Sequence, residues 1–179
     1  MTPPIFPREA ERLRALADYH ILDSAPEQAF DDLTALAADV CGCPIALVTI
    51  VEAKRQWFKS RIGIERTETP REQSFCAHAF VEPTNLLVVP DATSDERFAD
   101  NPLVSGEPHI RFYAGAPLLT REGLPVGTLC VIDRMPRARL TDQQLRVLRI
   151  LGRQVSYLLE LRRVSRALAR AAERPPAAG

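Results

Sequence analysis

The sequence predicts an α+β domain built around a β-hairpin and followed by one long helix. The hairpin is predicted over residues 111–133, where two segments of alternating side chains flank a turn at Glu122-Gly123. Side chains alternate across a strand, and a turn of this length usually needs a glycine. The helix is predicted from Thr141 to about residue 172. At the usual helical rise per residue it would be roughly 45–50 Å long.

The alternation assigns the hairpin side chains to faces of the sheet. In the first strand one face carries Phe112, Ala114, Ala116 and Leu118. In the second strand one face carries Val126, Thr128, Cys130 and Ile132, and the other carries Leu129 and Val131. Each strand therefore has a definite orientation relative to the layers that cover the sheet.

Small residues are concentrated in this hairpin: Ala114, Gly115, Ala116, Gly127 and Thr128. A strand that carries glycine gives up packing, and one reason is the close approach of another group. That group is either a ligand or a helix packed tightly on the sheet. The choice between the two decides whether this part of the sheet is a binding site.

Composition limits the possible functions. The chain has 179 residues and is 46% apolar, which is enough for one domain with extensions. Lys plus Arg equals Asp plus Glu at 23 each, so charge gives no support for a nucleic-acid or membrane-surface role. The most apolar stretch, 35–51, is interrupted by Asp39, Gly42 and Pro44. The N-terminus has no apolar signal-peptide core, and we expect a cytoplasmic location.

The first half of the chain predicts two helices and two strands. Residues 8–20 have the pattern of a first helix, and a capping box at Ser24–Glu27 predicts the start of a second that ends at Gly42. Residues 45–51 are apolar on both faces, as in a central strand. The strand predicted over 56–64 places Phe58, Ser60, Ile62 and Ile64 on one face and Trp57, Lys59 and Arg61 on the other.

Shorter elements are predicted between that strand and the hairpin. Residues 74–81 predict a short helix anchored by two phenylalanines, and residues 86–89 predict a short strand. A second capping box at Thr93–Glu96 predicts another short helix. The final helix begins with a third capping box at Thr141.

The final helix has apolar residues on more than one face as far as Leu161. One stripe can pack on the sheet while another contacts a partner, so we expect a homodimer. The predicted interface consists of Leu145, Leu148, Leu151, Val155 and Leu158. Beyond Leu161 the helix becomes rich in arginine and is predicted to extend past the domain, and residues 175–179 are predicted to be a disordered tail.

The four cysteines, Cys41, Cys43, Cys76 and Cys130, are expected to be reduced, buried thiols. Cys41-Gly-Cys43 has half of a metal-binding pattern, but no second Cys/His pair follows at zinc-finger spacing. We therefore expect no metal site.

The order of these segments resembles the GAF domain family found in bacterial histidine kinases and diguanylate cyclases. The resemblance covers about residues 8–165 and rests on ILDSAPEQAFDDLTALA, PIALVTIV, RQWFKSRIG, SFCAHAF, VVPDATSDERFADNPLV, HIRFYAGAPL and GTLCVID. It implies a central antiparallel sheet of about six strands with helices on both faces and long terminal helices. We accordingly expect an N-terminal helical extension over 1–23, a GAF domain over 24–160, and a helix overhang with the tail over 161–179.

Members of the family that this chain resembles bind cyclic nucleotides, bilins, haem or small metabolites, and some bind no ligand. The Asn-Lys…Phe-Asp pattern of the cyclic-nucleotide subgroup is missing here. Bilin-binding members attach the chromophore to a Cys followed directly by His, whereas Ala77 separates Cys76 from His78. The subgroup that reduces free methionine sulfoxide carries a Gly-Cys-rich loop, which residues 65–75 lack.

If the resemblance extends to a ligand pocket, eight residues are expected to line it: Phe58, Phe75, Cys76, Asp91, Phe98, Tyr113, Thr128 and Cys130. An apolar cluster with a few polar groups is typical of a pocket, but a plain core has the same composition. Asp91 can equally cap a turn.

The function expected from these observations is a sensory or regulatory module that binds a small molecule or partner and signals through a helix-mediated dimer. We expect no enzymatic activity and no catalytic residues, because Cys76 and His78, two apart on a helix, would point about 200° away from each other. The cofactor is undetermined, and a downstream kinase or cyclase is expected on another chain. The alternatives are a thiol-dependent free methionine sulfoxide reductase and a bilin photoreceptor.

Overall fold

Six strands form one antiparallel sheet in a computed structural model that describes residues 2–172. The strands are β1 (Ile45–Val51), β2 (Arg55–Ile62), β3 (Glu68–Pro70), β4 (Leu87–Val89), β5 (Phe112–Leu119) and β6 (Pro125–Asp133). Their order across the sheet is β3-β2-β1-β6-β5-β4. The predicted hairpin is β5 and β6, and it turns at Gly123, whose φ of 78° suits glycine.

Helices cover both faces of the sheet, as the α+β prediction required. They are α1 (Glu9–Tyr19), α2 (Gln28–Cys41), α3 (Phe75–His78), α4 (Pro102–Ser105) and α5 (Asp142–Ala172). One buried cluster joins α1, α2 and α5 to the first face of the sheet. A second cluster joins α3, α4 and the neighbouring loops to the opposite face. We call these the α5 side and the α3 side.

The long final helix is confirmed over Asp142–Ala172. The predicted disordered tail at 175–179 lies outside the described residues. Among residues 2–172, no helix combines the length and the apolar character needed to cross a bilayer.

Two capping-box predictions are wrong. The second helix starts at Gln28, and the Ser24 hydroxyl instead accepts a hydrogen bond of 2.9 Å from the buried Lys59 ammonium. The Thr93–Glu96 segment forms turns, because Asp95 accepts hydrogen bonds from the backbone and side chain of Arg97. An aspartate side chain such as that of Asp95 competes with helix formation by hydrogen bonding to nearby backbone groups.

Two β-bulges change the predicted faces. Between β1 and β2 the register shifts so that Lys59 is the extra residue, and Ser60 then lies on the α5 side with Trp57. Between β5 and β6 the extra residue is Val126, which joins Leu118 on the α5 side. An added residue reverses the alternation beyond it, so the predictions for Ser60 and Val126 are wrong.

The predicted dimer interface is also wrong. Leu148, Leu151 and Val155 are 0%, 6% and 0% exposed, because they pack on the sheet and α2. Leu145 and Leu158 are partly buried against the same core. The stripe predicted to contact a partner is therefore the stripe that holds α5 to its own domain. Close packing of α5 on the sheet depends on Gly152, where an added Cβ would lie 2.8 Å from the Ala116 Cβ.

Arg12 attaches α1 to the end of the sheet. Its guanidinium is fully buried, donates a 2.7 Å hydrogen bond to the Val51 carbonyl and lies 5.2 Å from the centre of the Phe80 ring. Glu9 accepts hydrogen bonds from Arg12 at 2.7 and 2.8 Å and also pairs with Arg71. A buried cation is stable only when its charge and its donors are matched, and Glu9 provides this match.

We predict that Glu9→Gln reduces stability in a pH-dependent way. Burial raises the pKa of Glu9, but the hydrogen bonds from Arg12 and Arg71 outweigh it and lower the pKa from 4.5 to about 2. A carboxylate with a lowered pKa stabilises the fold above its unfolded pKa, and this contribution is lost as the pH falls from 4.5 towards 2. Urea unfolding at pH 7 should show a loss of about 2 kcal/mol, the scale of hydrogen bonds to a charged group.

The same series at pH 5, 4 and 3 should show a shallower loss of stability for Glu9→Gln than for the unaltered protein. Glu11→Gln is the matched control, because Glu11 pairs with Arg8 on the exposed surface. Equal unfolding free energies for the two variants at pH 7 would contradict the role of Glu9.

Candidate functional site

Seven of the eight predicted site residues are buried together on the α3 side of the sheet. They are Phe58, Phe75, Cys76, Phe98, Tyr113, Thr128 and Cys130. The strand residues come from β2, β5 and β6, where alternation directs them to the same face. The structure therefore gathers residues that lie up to 72 positions apart in the chain, from Phe58 to Cys130.

Asp91 is the exception. Its carboxylate accepts hydrogen bonds from the backbone N–H and the hydroxyl of Thr93, at 3.0 and 2.7 Å, on the exposed surface. These bonds lower the pKa of Asp91. Asp91 stabilises a turn and lies outside the cluster of buried site residues.

The small residues of the hairpin divide between the two faces. Ala114 and Ala116 lie on the α5 side, where the close approach is that of a helix. Gly115 lies on the α3 side, where an added Cβ would be only 2.3 Å from the Tyr113 hydroxyl oxygen and 2.8 Å from its ring. The space that Gly115 leaves open is therefore occupied by the side chain of Tyr113.

A short aromatic stack covers Tyr113. The rings of Phe75 and Phe98 are parallel with centroids 4.0 Å apart, and Phe75 lies 5.4 Å from the Tyr113 ring. The His78 ring packs edge-on against Phe98 at 4.7 Å. The Cys76 sulfur accepts a hydrogen bond from the Tyr113 hydroxyl, whereas the His78 ring packs on Phe98.

Local hydrogen bonds hold α3 over the sheet. The Ser74 hydroxyl caps α3 by accepting from the Ala77 N–H at 3.0 Å and donates to the buried Gln56 side chain. The Asn101 amide donates to the Gln73 carbonyl at 3.0 Å and so ties the start of α4 to the start of α3. These bonds fix the position of Cys76, which lies in the first turn of α3.

Three hydroxyls and two thiols meet beneath α3, and we call them the hydroxyl–thiol cluster: Thr49, Cys76, Tyr113, Thr128 and Cys130. The Tyr113 hydroxyl donates to the Cys76 sulfur at 3.3 Å and lies 3.4 Å from the Thr128 hydroxyl. The Thr128 and Thr49 hydroxyls are 3.2 Å apart. Buried polar groups of this kind are tolerated because each finds a partner within the cluster.

The pKa values of the two thiols in the cluster are shifted in opposite directions. Burial raises the pKa of Cys76, but hydrogen bonds from Cys130, Thr128, Thr49 and Tyr113 outweigh it and lower the pKa to about 7. Burial and the neighbouring Cys76 raise the pKa of Cys130. The pKa of Tyr113 is raised by burial and by both cysteines. A thiolate at Cys76 would be stabilised by four neighbours that keep their protons. They keep them because a second negative charge in the same buried site would be repelled by the first.

A small cavity adjoins the cluster. It measures about 30 Å³, and its walls include Phe58, Phe75, Cys76, Tyr113 and Cys130. This space suits one water-sized molecule. Ligand pockets for drug-sized molecules are usually about 300–1,000 Å³, so the observed space does not fit a bilin or methionine sulfoxide. This cavity therefore supports neither alternative function.

Two members of the site escaped the sequence analysis. Thr49 lies in a strand that is otherwise apolar, and a single threonine in such a strand is a signal that could have drawn attention to it. Gln56 precedes Trp57 in β2 and is only 4% exposed, although its type favours the surface. In the described part of the chain, no three His, Cys, Asp or Glu side chains gather as a metal site.

We predict that Gly115→Ala destabilises the fold by about 1–3 kcal/mol, the usual effect of overpacking a core. The added Cβ would collide with the hydroxyl and ring of Tyr113. Urea unfolding of four proteins, namely the unaltered chain, Gly115→Ala, Tyr113→Ala and the double variant, measures the interaction. In the Tyr113→Ala background the Gly115→Ala substitution should have little further effect. A loss of equal size in both backgrounds would show that Tyr113 does not occupy the space.

Comparison with known proteins identifies a relative with an enzymatic name. The chain is 44% identical over 156 residues to a cyclic di-GMP phosphodiesterase of Pseudomonas aeruginosa. The match covers 87% of this chain and 26% of the relative, so the chain spans about a quarter of that protein. This relative is an enzyme, and the expectation of no enzymatic activity is therefore wrong.

Solved structures show the same fold at low identity. A two-component sensor histidine kinase domain from Sinorhizobium meliloti gives a TM-score of 0.62 at 16% identity, covering 82% of this chain and 99% of that one. The GAF domain of an Acinetobacter phosphoenolpyruvate-protein phosphotransferase gives 0.61 at 17% identity, with coverages of 95% and 99%. The sequence profile of the GAF domain matches residues 25–159. The chain belongs to the GAF domain family.

Proposed function

We propose that this chain is a regulatory GAF module that controls an output enzyme of cyclic di-GMP turnover through a homodimer formed by α5. GAF domains are sensory and signalling modules, and the 44% identical relative is named a cyclic di-GMP phosphodiesterase. The proposal keeps the division into a helical extension over 1–23, a domain over 24–160 and an overhang from 161. One observation carries the dimer: α5 has an exposed apolar stripe on the face away from its own sheet.

The stripe follows a heptad spacing, with steps of three and four residues in turn. We call it the seam: Ile150, Gln154, Tyr157, Leu161, Val164 and Leu168. Tyr157, Leu161 and Leu168 are 63%, 62% and 66% exposed. Apolar residues at this spacing are typical of a two-stranded coiled coil.

A parallel arrangement fits the seam. In a parallel pair, each seam residue meets its own copy, so Gln154 would face Gln154 and exchange a side-chain hydrogen bond. A polar residue at one core position fixes the register of a coiled coil at some loss of stability. The seam continues to the last described turns of α5. A dimer contact there would lie next to any output unit that followed α5.

The input side of the proposal uses the buried site residues on the α3 side. Any ligand larger than water that entered this cavity would have to displace Tyr113 or Phe75, because the cavity holds about 30 Å³. A ligand changes the output only if it binds one arrangement of the domain more tightly than another. Since α5 packs on β5 through Gly152 and Ala116, a shift of β5 at Tyr113 would reach the seam directly.

We predict that the protein is a dimer and that Leu161→Lys with Leu168→Lys makes it a monomer. Two lysines in the seam would place like charges together between the helices. The matched control is Ile5→Lys with Met135→Lys, two apolar residues that are 75% and 68% exposed away from the seam. Sedimentation velocity should show a dimer for the unaltered protein and the control. A monomeric unaltered protein, or a dimeric seam variant, would contradict the dimer.

The regulatory part is tested in the relative. The region of the Pseudomonas aeruginosa phosphodiesterase that matches this chain would be replaced by this chain, and hydrolysis of cyclic di-GMP measured. The two seam lysines should change the rate by roughly fivefold or more, the lower range of allosteric coupling. The two control lysines should not. Equal rates for all three chimeras would contradict regulation through α5.

A further inference from the structure

The two thiols of the hydroxyl–thiol cluster line the same small cavity. Cys76 is 1% exposed and Cys130 is fully buried, and both border the space of about 30 Å³. A space of that size accepts a molecule little larger than water. The simplest hydroperoxide, hydrogen peroxide, is of this class, whereas glutathione and larger oxidants are excluded by size.

The surroundings of Cys76 favour a nucleophilic sulfur. The Tyr113 hydroxyl donates to it at 3.3 Å, and Thr128 and Thr49 extend the same network. Donors of this kind stabilise a thiolate, which is the reactive form of cysteine. The low pKa of Cys76 and the raised pKa of Cys130 agree with this geometry, since one sulfur is charged while the other keeps its proton.

The same chain carries a second pair of buried cysteines without these features. Cys41 and Cys43 lie on the α5 side, and burial raises the pKa of both, that of Cys43 to about 11. The Cys43 thiol donates to the Cys41 carbonyl at 3.7 Å. Buried thiols of this type are inert, so the pair is an internal control.

We propose that Cys76 and Cys130 form a peroxide-oxidisable pair that closes to a disulfide between α3 and β6. The Cys76 thiolate attacks one oxygen of hydrogen peroxide, the O–O bond breaks, and the leaving hydroxide takes up the proton that Cys76 released. Cys76 is then a sulfenic acid, and one water has formed.

The Cys130 sulfur next attacks the Cys76 sulfur. The S–O bond breaks, the S–S bond forms, and the leaving hydroxide takes the Cys130 proton to give a second water. Two thiols lose two electrons and two protons in total, and the peroxide is reduced to two waters. This chemistry involves only the pair, so it stands or falls independently of the seam dimer.

The test treats the full chain with hydrogen peroxide, then unfolds it and alkylates the remaining thiols. Trypsin places Cys76 in peptide 72–97, Cys130 in 122–134, and both control cysteines in 15–54. Mass spectrometry should find 72–97 linked to 122–134 with the loss of two hydrogens. The linked species should form roughly tenfold faster than any oxidation of 15–54.

Two variants separate the steps. Cys130→Ser should stop the reaction at the sulfenic acid, which dimedone traps on peptide 72–97, and Tyr113→Phe should slow it. Circular dichroism checks that each variant is folded. If Cys130→Ser does not fold, Cys130→Ala replaces it. The disulfide measured in the unaltered chain tests the proposal without any variant. Peptide 72–97 remaining fully alkylated, or 15–54 reacting at the same rate, would overturn the proposal.

Discussion

The placement of Tyr113 over Gly115 is the interaction on which the α3 side of this domain depends. No side chain other than hydrogen fits at Gly115, because a Cβ there would lie 2.3 Å from the tyrosine oxygen. The ring fills the space beneath the Phe75–Phe98 stack, and the hydroxyl reaches Cys76 and Thr128. The small residues of the hairpin suggested a space for a ligand, but the Tyr113 side chain fills that space.

The two faces of the sheet have different roles. On the α3 side, polar groups are gathered in a buried core, where their mutual hydrogen bonds stabilise them and give the two thiols different pKa values. On the α5 side, Gly152 lets the long helix rest against Ala116, so the inner stripe of α5 is used up in packing. The outer stripe of α5 is therefore the part of the helix that can contact a partner. Strand β5 takes part in both layers, because Tyr113 and Ala116 point to opposite faces.

The sequence predicted the fold class and the hairpin, because these depend on alternation and on helical spacing. Of the expected site residues, Tyr113, Thr128 and Cys130 share one face of the sheet, because alternation is regular in β5 and in the part of β6 that follows the bulge at Val126. The bulges at Lys59 and Val126 could not be predicted, because they depend on pairing with a neighbouring strand. The inner and outer stripes of α5 could not be assigned either, since both are apolar and only packing distinguishes them.

Tyr113 closes the α3 side and leaves room for one water-sized molecule beside two thiols. A high-resolution crystal structure of the protein, purified without added ligand, would test this arrangement. We expect the Tyr113 ring over Gly115, with density no larger than a water next to Cys76 and Cys130. A displaced Tyr113 with an organic molecule between Phe75 and Cys130 would contradict it.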